Sequence, residues 1–135
     1  MRFLIIDDTP DERARLREAL SGNGRAFEAR EAPDAHVGLE IFAGEVFDCV
    51  FVGMGLPDME GTEVIRRLRE YDRQIPVVAI PGLNCGECLQ VSCAGERCAT
   101  LPRSRLGETS AVFRALEAAS VLESETGAPT RAGSC

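Results

Sequence analysis

Residues 47–61 read FDCVFVGMGLPDMEG, a strand pattern followed by a loop of glycine and proline residues. Residues 49–52 form a short continuous apolar run, which is typical of a strand covered on both faces. The loop at 54–61 leads into a helix pattern that begins at Thr62. A strand, a loop and a helix in this order predict one unit of a parallel sheet with crossover helices.

The same alternation continues on both sides of this unit. Thr9 and Pro10 suit the start of one helix, and Asp34 can cap a second. Five strands and five helices predict an α/β fold, with one domain at 1–121 and a flexible tail or linker at 122–135. The predicted strands are 3–6, 26–29, 49–52, 75–80 and about 98–101, and the later helices are 87–94 and 108–119.

The composition limits the partners and the compartment. The 135 residues contain no lysine and carry a formal net charge of -7. This charge argues against nucleic acid or an anionic membrane as a partner of this domain, because both attract clustered positive charge. No stretch approaches the ~20 apolar residues of a membrane span. The first residues do not match a signal peptide, so we expect a cytoplasmic protein.

Four motifs carry a likeness to a known family. Leu4-Ile5-Ile6-Asp7-Asp8, the 47–61 segment quoted above, the strand at 75–80 and the turn at 101–106 resemble the receiver domain of two-component response regulators. The likeness covers about residues 1–120. It implies a flavodoxin-like (βα)5 doubly wound sandwich, with five parallel strands in the order 2-1-3-4-5, and a place in phosphorelay signalling.

The resemblance also implies a chemistry. In such receivers an aspartate at the end of the third strand accepts a phosphoryl group from a kinase phosphohistidine, and magnesium is held by that aspartate and an acidic pair. Here the acidic pair is Asp7 and Asp8, but the acceptor position falls on Gly53. The position of the hydroxyl that follows the fourth strand falls on Pro81. The implied domain is therefore a degenerate receiver, or pseudo-receiver.

Two further positions of the resemblance also differ. The lysine that follows the fifth strand falls on Arg103, or on Pro102 if the count starts at Gly95. The aromatic switch position falls near Ala99 or Thr100. We expect weak magnesium binding at the acidic pair, which has lost one carboxylate neighbour.

The acidic pair has two open interpretations. Arg103, at the lysine position, could pair with Asp7 or Asp8 and replace the metal. Alternatively, both acids simply cap the adjacent helix. The acids nearest in sequence to Gly53 are Asp48 and Asp58. Asp48 lies about 16 Å from Gly53 along the strand, and Asp58 lies in the loop, where it is a candidate substitute acceptor.

Cysteines form a second candidate site. Cys85, Cys88, Cys93 and Cys98 lie within fourteen residues. The leading Cys-x-x-Cys spacing suits zinc, an iron–sulfur cluster or a dithiol–disulfide couple. The alternative is that these cysteines are small core residues, as we expect of Cys49. His36 is given no function and is interpreted as a surface residue distant from the acidic pair.

Three functions remain open from the sequence. The first is an interaction module that binds a histidine kinase or another signalling protein through the face of the fourth helix, fifth strand and fifth helix. The second is a metal or redox sensor that uses the cysteine cluster. The third is an active receiver with a non-standard acceptor, Asp58 or Asp8. No nucleophile with an adjacent base is visible, so an enzyme is not expected; homodimer formation is left open.

Overall fold

Five parallel strands form one sheet in the spatial order β2-β1-β3-β4-β5. The structure is a computed structural model and describes residues 1–22, 24, 26–81 and 98–120. This order confirms the predicted flavodoxin-like α/β fold, and it places a change of strand order between β1 and β3, where ligands bind in such sheets. The strands are β1 Arg2–Ile6, β2 Glu28–Ala32, β3 Cys49–Gly53, β4 Val77–Ile80 and β5 Cys98–Thr100.

Helices cover both faces of the sheet. Successive residues of a strand face opposite sides, so Phe3 and Ile5 pack with α1 and the C-terminal helix, whereas Leu4 and Ile6 pack with α2 and α3. Two apolar cores result, which explains the continuous apolar runs of β1 and β3. The described α-helices are α1 Pro10–Ser21, α2 Ala35–Gly44, α3 Gly61–Tyr71 and the C-terminal helix Thr109–Ser120.

Two predicted strands begin later than expected. β2 starts at Glu28 instead of Ala26, in register with Arg2 of β1. As an edge strand it alternates exposed charged residues with half-buried ones, so its apolar pattern is weak. β4 starts at Val77 because Pro76 has no N–H group to donate to the ladder; only the carbonyl of Pro76 takes part, accepting from Val50 N at 3.0 Å.

α2 begins as predicted and packs closely on β1. The Asp34 side chain accepts a hydrogen bond from Val37 N at 2.9 Å, which confirms the predicted cap. Gly38 lies so close to β1 that an added Cβ would be 2.5 Å from Ile6 Cδ1. Val37 is half-buried and packs against the same core. The buried residues of α2 are Ala35, Gly38 and Phe42.

None of the described helices is long and apolar enough to cross a membrane. The helix predicted at 87–94, the domain boundary at 121 and the tail at 122–135 lie outside the described residues.

Candidate functional site

Three strand ends meet at the carboxyl edge of the sheet. Asp7 follows β1, Gly53 ends β3 and Pro81 follows β4. β1 and β3 are in register up to Ile6 and Val52, so Asp7 and Gly53 are neighbours. A Cβ added to Gly53 would lie 3.0 Å from Asp7 Oδ2. The structure thus brings together the acidic residue, the glycine and the proline that the sequence had singled out.

Asp7 is a buried carboxylate, 1% exposed. Its Oδ1 accepts a hydrogen bond from Thr9 N at 2.9 Å, and Arg103 Nη1 lies 3.3 Å from its Oδ2. Burial raises the pKa of Asp7, and the neighbouring Asp8 adds to the rise, whereas the Thr9 amide and the Arg103 charge oppose it. Because the protonated form is favoured overall, the Thr9 amide and the Arg103 charge compensate only in part for the burial of this carboxylate.

Arg103 ties together three elements at this edge. It opens a short 3₁₀ turn, Arg103–Arg105, between β5 and the C-terminal helix. Its Nη1 contacts both Asp7 and Glu12 of α1, and its Nε donates to the carbonyl of Pro81 at 2.7 Å. The guanidinium group is 21% exposed. A positive charge on this side chain therefore sits where the two acids converge.

Glu12 is a site residue that the sequence reasoning missed. It was interpreted only as an acid in the first turn of a helix, where it suits the helix dipole. Its place in the first turn after the acidic pair is the signal that it lies at this edge. Its link to Arg103 joins residues 91 positions apart in the chain, and no local pattern reports such a contact.

Asp8 and Thr9 do not follow the capping interpretation. Thr9 occupies the N-cap position of α1, but its side chain makes no hydrogen bond to the helix. Its hydroxyl donates to Asp8 Oδ1 at 3.4 Å instead, and Asp8 is exposed. The helix start is organised by Asp7, which accepts from the backbone of Thr9.

Asp58 binds the start of α2. Its two oxygens accept hydrogen bonds from Ala35 N and His36 N, each at 3.0 Å. Burial alone would raise the pKa of Asp58, but the Ala35 amide and the His36 ring and amide outweigh it and lower the pKa to about 2. This carboxylate is thus committed to a helix terminus.

His36 is not the isolated surface residue that the sequence suggested. Although its side chain is exposed, its Nδ1 lies 2.5 Å from Asp58 Oδ2. Because α2 follows the carboxyl end of β2, its first turn lies at the same edge of the sheet as the acidic pair.

Only part of the cysteine cluster lies within the described residues. Cys98 is half-buried on β5 and packs against the core formed with α2 and α3; it is disulfide-bonded. Cys85, Cys88 and Cys93 lie outside the described residues. Cys49 is a free, buried thiol on β3, and burial raises its pKa, which confirms it as a core residue.

The donor set at the carboxyl edge does not suit magnesium. Within the described residues, no three side chains of the His, Cys, Asp and Glu types are placed to hold a metal ion. Magnesium requires several oxygen ligands in octahedral geometry. Here Gly53 supplies none, and the Asp7 carboxylate already meets Arg103.

Comparison with known proteins identifies the fold and the family. The family model of the response regulator receiver domain matches residues 3–88. The chain therefore belongs to the response regulator receiver domain family.

Curated relatives agree over the same region. The chain is 32% identical over 80 residues to the response regulator MprA of Mycolicibacterium vanbaalenii, a match that covers 59% of this chain and 34% of that protein. It is also 32% identical over 82 residues to a probable cyclic di-GMP phosphodiesterase of Vibrio cholerae, covering 59% of this chain but 18% of that protein. The chain thus spans about a third or less of the relatives it matches.

Solved structures share the fold. A CheY-like receiver domain protein of Methanospirillum hungatei superimposes with a TM-score of 0.69 at 23% identity, covering 87% of this chain and 94% of that one. NtrX of Brucella abortus gives 0.73 at 25% identity, covering 93% of this chain and 28% of that one. A response regulator of Burkholderia pseudomallei, solved with a phosphorylated aspartic acid, gives 0.72 at 21% identity and covers 93% and 72%.

Proposed function

We propose that this receiver domain is not phosphorylated at the usual position and acts in two-component signalling as a protein-interaction module. One observation carries the proposal. β3 ends at Gly53, beside Asp7 at the carboxyl edge of the sheet. The resemblance assigns the phosphoryl acceptor to this position, and glycine offers no nucleophile.

The space beside Gly53 supports the same conclusion. An added Cβ would lie 3.0 Å from Asp7 Oδ2 and 3.3 Å from the carbonyl oxygen of Ile6. These separations are tighter than ordinary van der Waals contact, so a side chain at position 53 requires Asp7 to move.

Arg103 takes the place of a cation in this proposal. The guanidinium group meets Asp7 and Glu12 from the far side of the sheet edge, and it supplies the positive charge that the family obtains from magnesium. Because this charge belongs to a side chain of the protein, it cannot dissociate, and its presence does not depend on phosphate. Any magnesium binding at Asp7 and Asp8 is accordingly weak, and no other cofactor is proposed for this edge.

The remaining switch parts are missing as well. Pro81 has no hydroxyl or N–H group with which to hold a phosphoryl oxygen, and its carbonyl is used by Arg103. β5 carries Ala99 and Thr100 where the resemblance expects an aromatic residue. In this proposal, the conformational change that phosphorylation drives in the family cannot begin, because the acceptor is missing. It cannot be passed on either, because the hydroxyl and the aromatic side chain are missing.

Asp58 is a poor substitute acceptor. Its oxygens are occupied by two amides and the His36 ring, and a pKa of about 2 makes the carboxylate weakly nucleophilic. Asp8 is exposed, and its Oδ1 accepts a hydrogen bond from the Thr9 hydroxyl. We therefore propose neither residue as a phosphorylation site.

The proposed partner is a protein, a histidine kinase or another signalling protein. The face used is the one that contains β5 and the C-terminal helix; a second copy of the chain is an alternative occupant. The net charge of -7 argues against nucleic acid, and a cytoplasmic location follows from the kind of partner.

Incubation with acetyl phosphate and magnesium, followed by intact-mass measurement at neutral pH, tests the proposal. We expect no phosphorylated species, and no change in amide NMR shifts on addition of beryllofluoride with magnesium. A phosphorylated species that disappears in D58N or in D8N would instead establish an active receiver with that unusual acceptor. A matched receiver that retains its aspartate serves as the positive control.

Redox sensing is kept as the second candidate because Cys98 is disulfide-bonded. β5 borders the proposed interaction face, so making or breaking this bond would act where a partner binds. Thiol counting after expression in a reducing cytoplasm tests it. A disulfide that persists there and is lost in C98S supports redox sensing, whereas six titratable thiols and no bound zinc or iron contradict both the redox and the metal versions.

A further inference from the structure

A groove lies between β5 and the C-terminal helix, with a volume of about 560 Å³. Its floor is apolar and includes Ala99, Leu101 and Ala115. Two arginines line it from separate elements: Arg105 comes from the 3₁₀ turn and Arg114 from the C-terminal helix. Both side chains belong to exposed residues.

These two arginines differ from most others in the described part of the chain. Arg13 and Arg17 share Glu31, and Arg66 and Arg67 share Glu63. By contrast, within the described residues no hydrogen bond or ion pair involves the side chains at 105 and 114. Although the protein has a formal net charge of -7, the described part of the chain supplies no acidic partner for these two positive charges on one groove.

The charge of the groove lining is also one-sided. Among the described residues, none of those that line it is acidic. The groove between α2 and α3, of about 470 Å³, is lined by Glu40 and Glu70 as well as Arg67. Charge complementarity therefore favours an acidic partner at the β5 groove over the groove between α2 and α3.

We propose that the β5 groove binds an acidic amphipathic helix of a partner protein, whose apolar side covers the floor and whose carboxylates pair with Arg105 and Arg114. This inference rests on the proposed function and gives the chemistry of the partner. Guanidinium groups form bidentate pairs with carboxylates, and such rim pairs determine specificity more than affinity.

The acidic site positions one of the two arginines. Arg105 lies two residues after Arg103, in the same 3₁₀ turn, and that turn is held by the contacts of Arg103 with Asp7, Glu12 and Pro81. The turn is thus fixed without phosphorylation, and the groove is formed in advance. Pre-organisation of this kind lowers the cost of ordering side chains on binding.

The test is a titration of the full chain, followed by amide NMR, with a synthetic amphipathic helix whose leucine face is flanked by glutamates. A twin peptide with lysines at the glutamate positions is the charge control. R105E/R114E is compared with R15E/R73E, which makes the same change of net charge at exposed arginines outside the groove. We expect saturable binding of the acidic peptide, shifts at Thr100 and Ala115, and dissociation constants raised about tenfold or more in R105E/R114E but within about twofold of wild type in R15E/R73E.

Equal binding of the lysine peptide, equal losses in the two double variants, or no saturable binding with or without beryllofluoride and magnesium would each overturn the proposed groove. Repeating the titration with beryllofluoride and magnesium separates the two proposals. Acidic-peptide binding that appears only with these additions would overturn phosphorylation-independent action and leave the groove assignment standing. Absence of binding in both conditions would overturn the groove and leave the proposed function untouched.

Discussion

Arginines organise both ends of the sheet, but in different surroundings. At the amino edge, Arg2 contacts Glu28 at 3.0 Å and Glu45 at 2.5 Å, and its guanidinium lies 5.1 Å from the centre of the Phe47 ring. At the carboxyl edge, Arg103 contacts Glu12 and Asp7. Arg2 is 37% exposed and Glu28 is more exposed still, whereas the Asp7 side chain is 2% exposed.

The two arginines differ in how well water can solvate their partner carboxylates once the arginine is removed. Exposed ion pairs contribute little because water replaces the lost partner. A buried carboxylate without its cation remains desolvated and unpaired, which is costly. Arg2 therefore makes exposed ion pairs at the amino edge, whereas Arg103 compensates the charge of a carboxylate that the fold has buried.

Replacing Arg103 should have the largest effect on stability. We expect R103A to lower the free energy of unfolding by about 2–4 kcal/mol and R2A to lower it clearly less, because its ion pairs are exposed, as measured by urea unfolding at neutral pH. R105A, in the same turn but without an ion pair, serves as the control and should stay close to wild type. Equal losses in R103A and R2A would remove the distinction between the two edges.

Introducing an aspartate at Gly53 should have the next largest effect. The added Cβ meets Asp7 Oδ2 at 3.0 Å, and a third carboxylate joins Asp7 and Asp8, so we expect G53D to cost about 1–3 kcal/mol of stability. G53A separates the steric part from the charge.

Magnesium should distinguish the variants further. In thermal unfolding, millimolar magnesium should leave wild type unchanged and stabilise G53D/R103A, where three carboxylates face no arginine. Stabilisation of wild type by magnesium to the same degree would show that Arg103 does not replace the cation.

Asp7 gives a smaller, pH-dependent effect. Because its folded-state pKa is raised, the folded state binds the proton more tightly than the unfolded state, and its contribution to stability is present at acid pH and lost as pH rises through that pKa. D7N resembles the protonated form. The difference in unfolding free energy between D7N and wild type should therefore move in favour of D7N as pH rises, and more strongly in an R103A background.

A difference that moves the other way with pH would mean that the Arg103 contact outweighs the burial of Asp7. Urea unfolding at several pH values provides the measurement, with D11N as the control at an exposed acid of α1.

The sequence predicted the parts of this molecule that depend on local patterns. The apolar runs of β1 and β3, the Asp34 cap and the strand order all follow from periodicity, turn chemistry or the resemblance. The prediction for β2 was displaced because an edge strand with charged outward positions carries little apolar signal.

The sequence predicted residues of the site only where they lie at the end of an apolar strand pattern. Asp7, Gly53 and Pro81 follow apolar strand patterns, and parallel topology brings such positions together. Glu12 and the His36–Asp58 pair depend on contacts across 91 and 22 residues. Such contacts are created by the docking of helices and loops, which leaves no periodic trace in the sequence.

The smallest expected effect concerns Asp58, the exposed counterpart of Asp7. D58N should cost about 0.5–1 kcal/mol at neutral pH, as the loss of a charged helix cap does, and H36A should cost less because both backbone donors remain. With a pKa of about 2, the Asp58 contribution is present above the usual aspartate range and is lost as pH falls toward 2. Faster amide exchange at Ala35 and His36 in D58N, with Val37 held by Asp34, gives the local readout. Unchanged exchange would mean that the carboxylate does not hold α2, and its availability as a phosphoryl acceptor would have to be reconsidered.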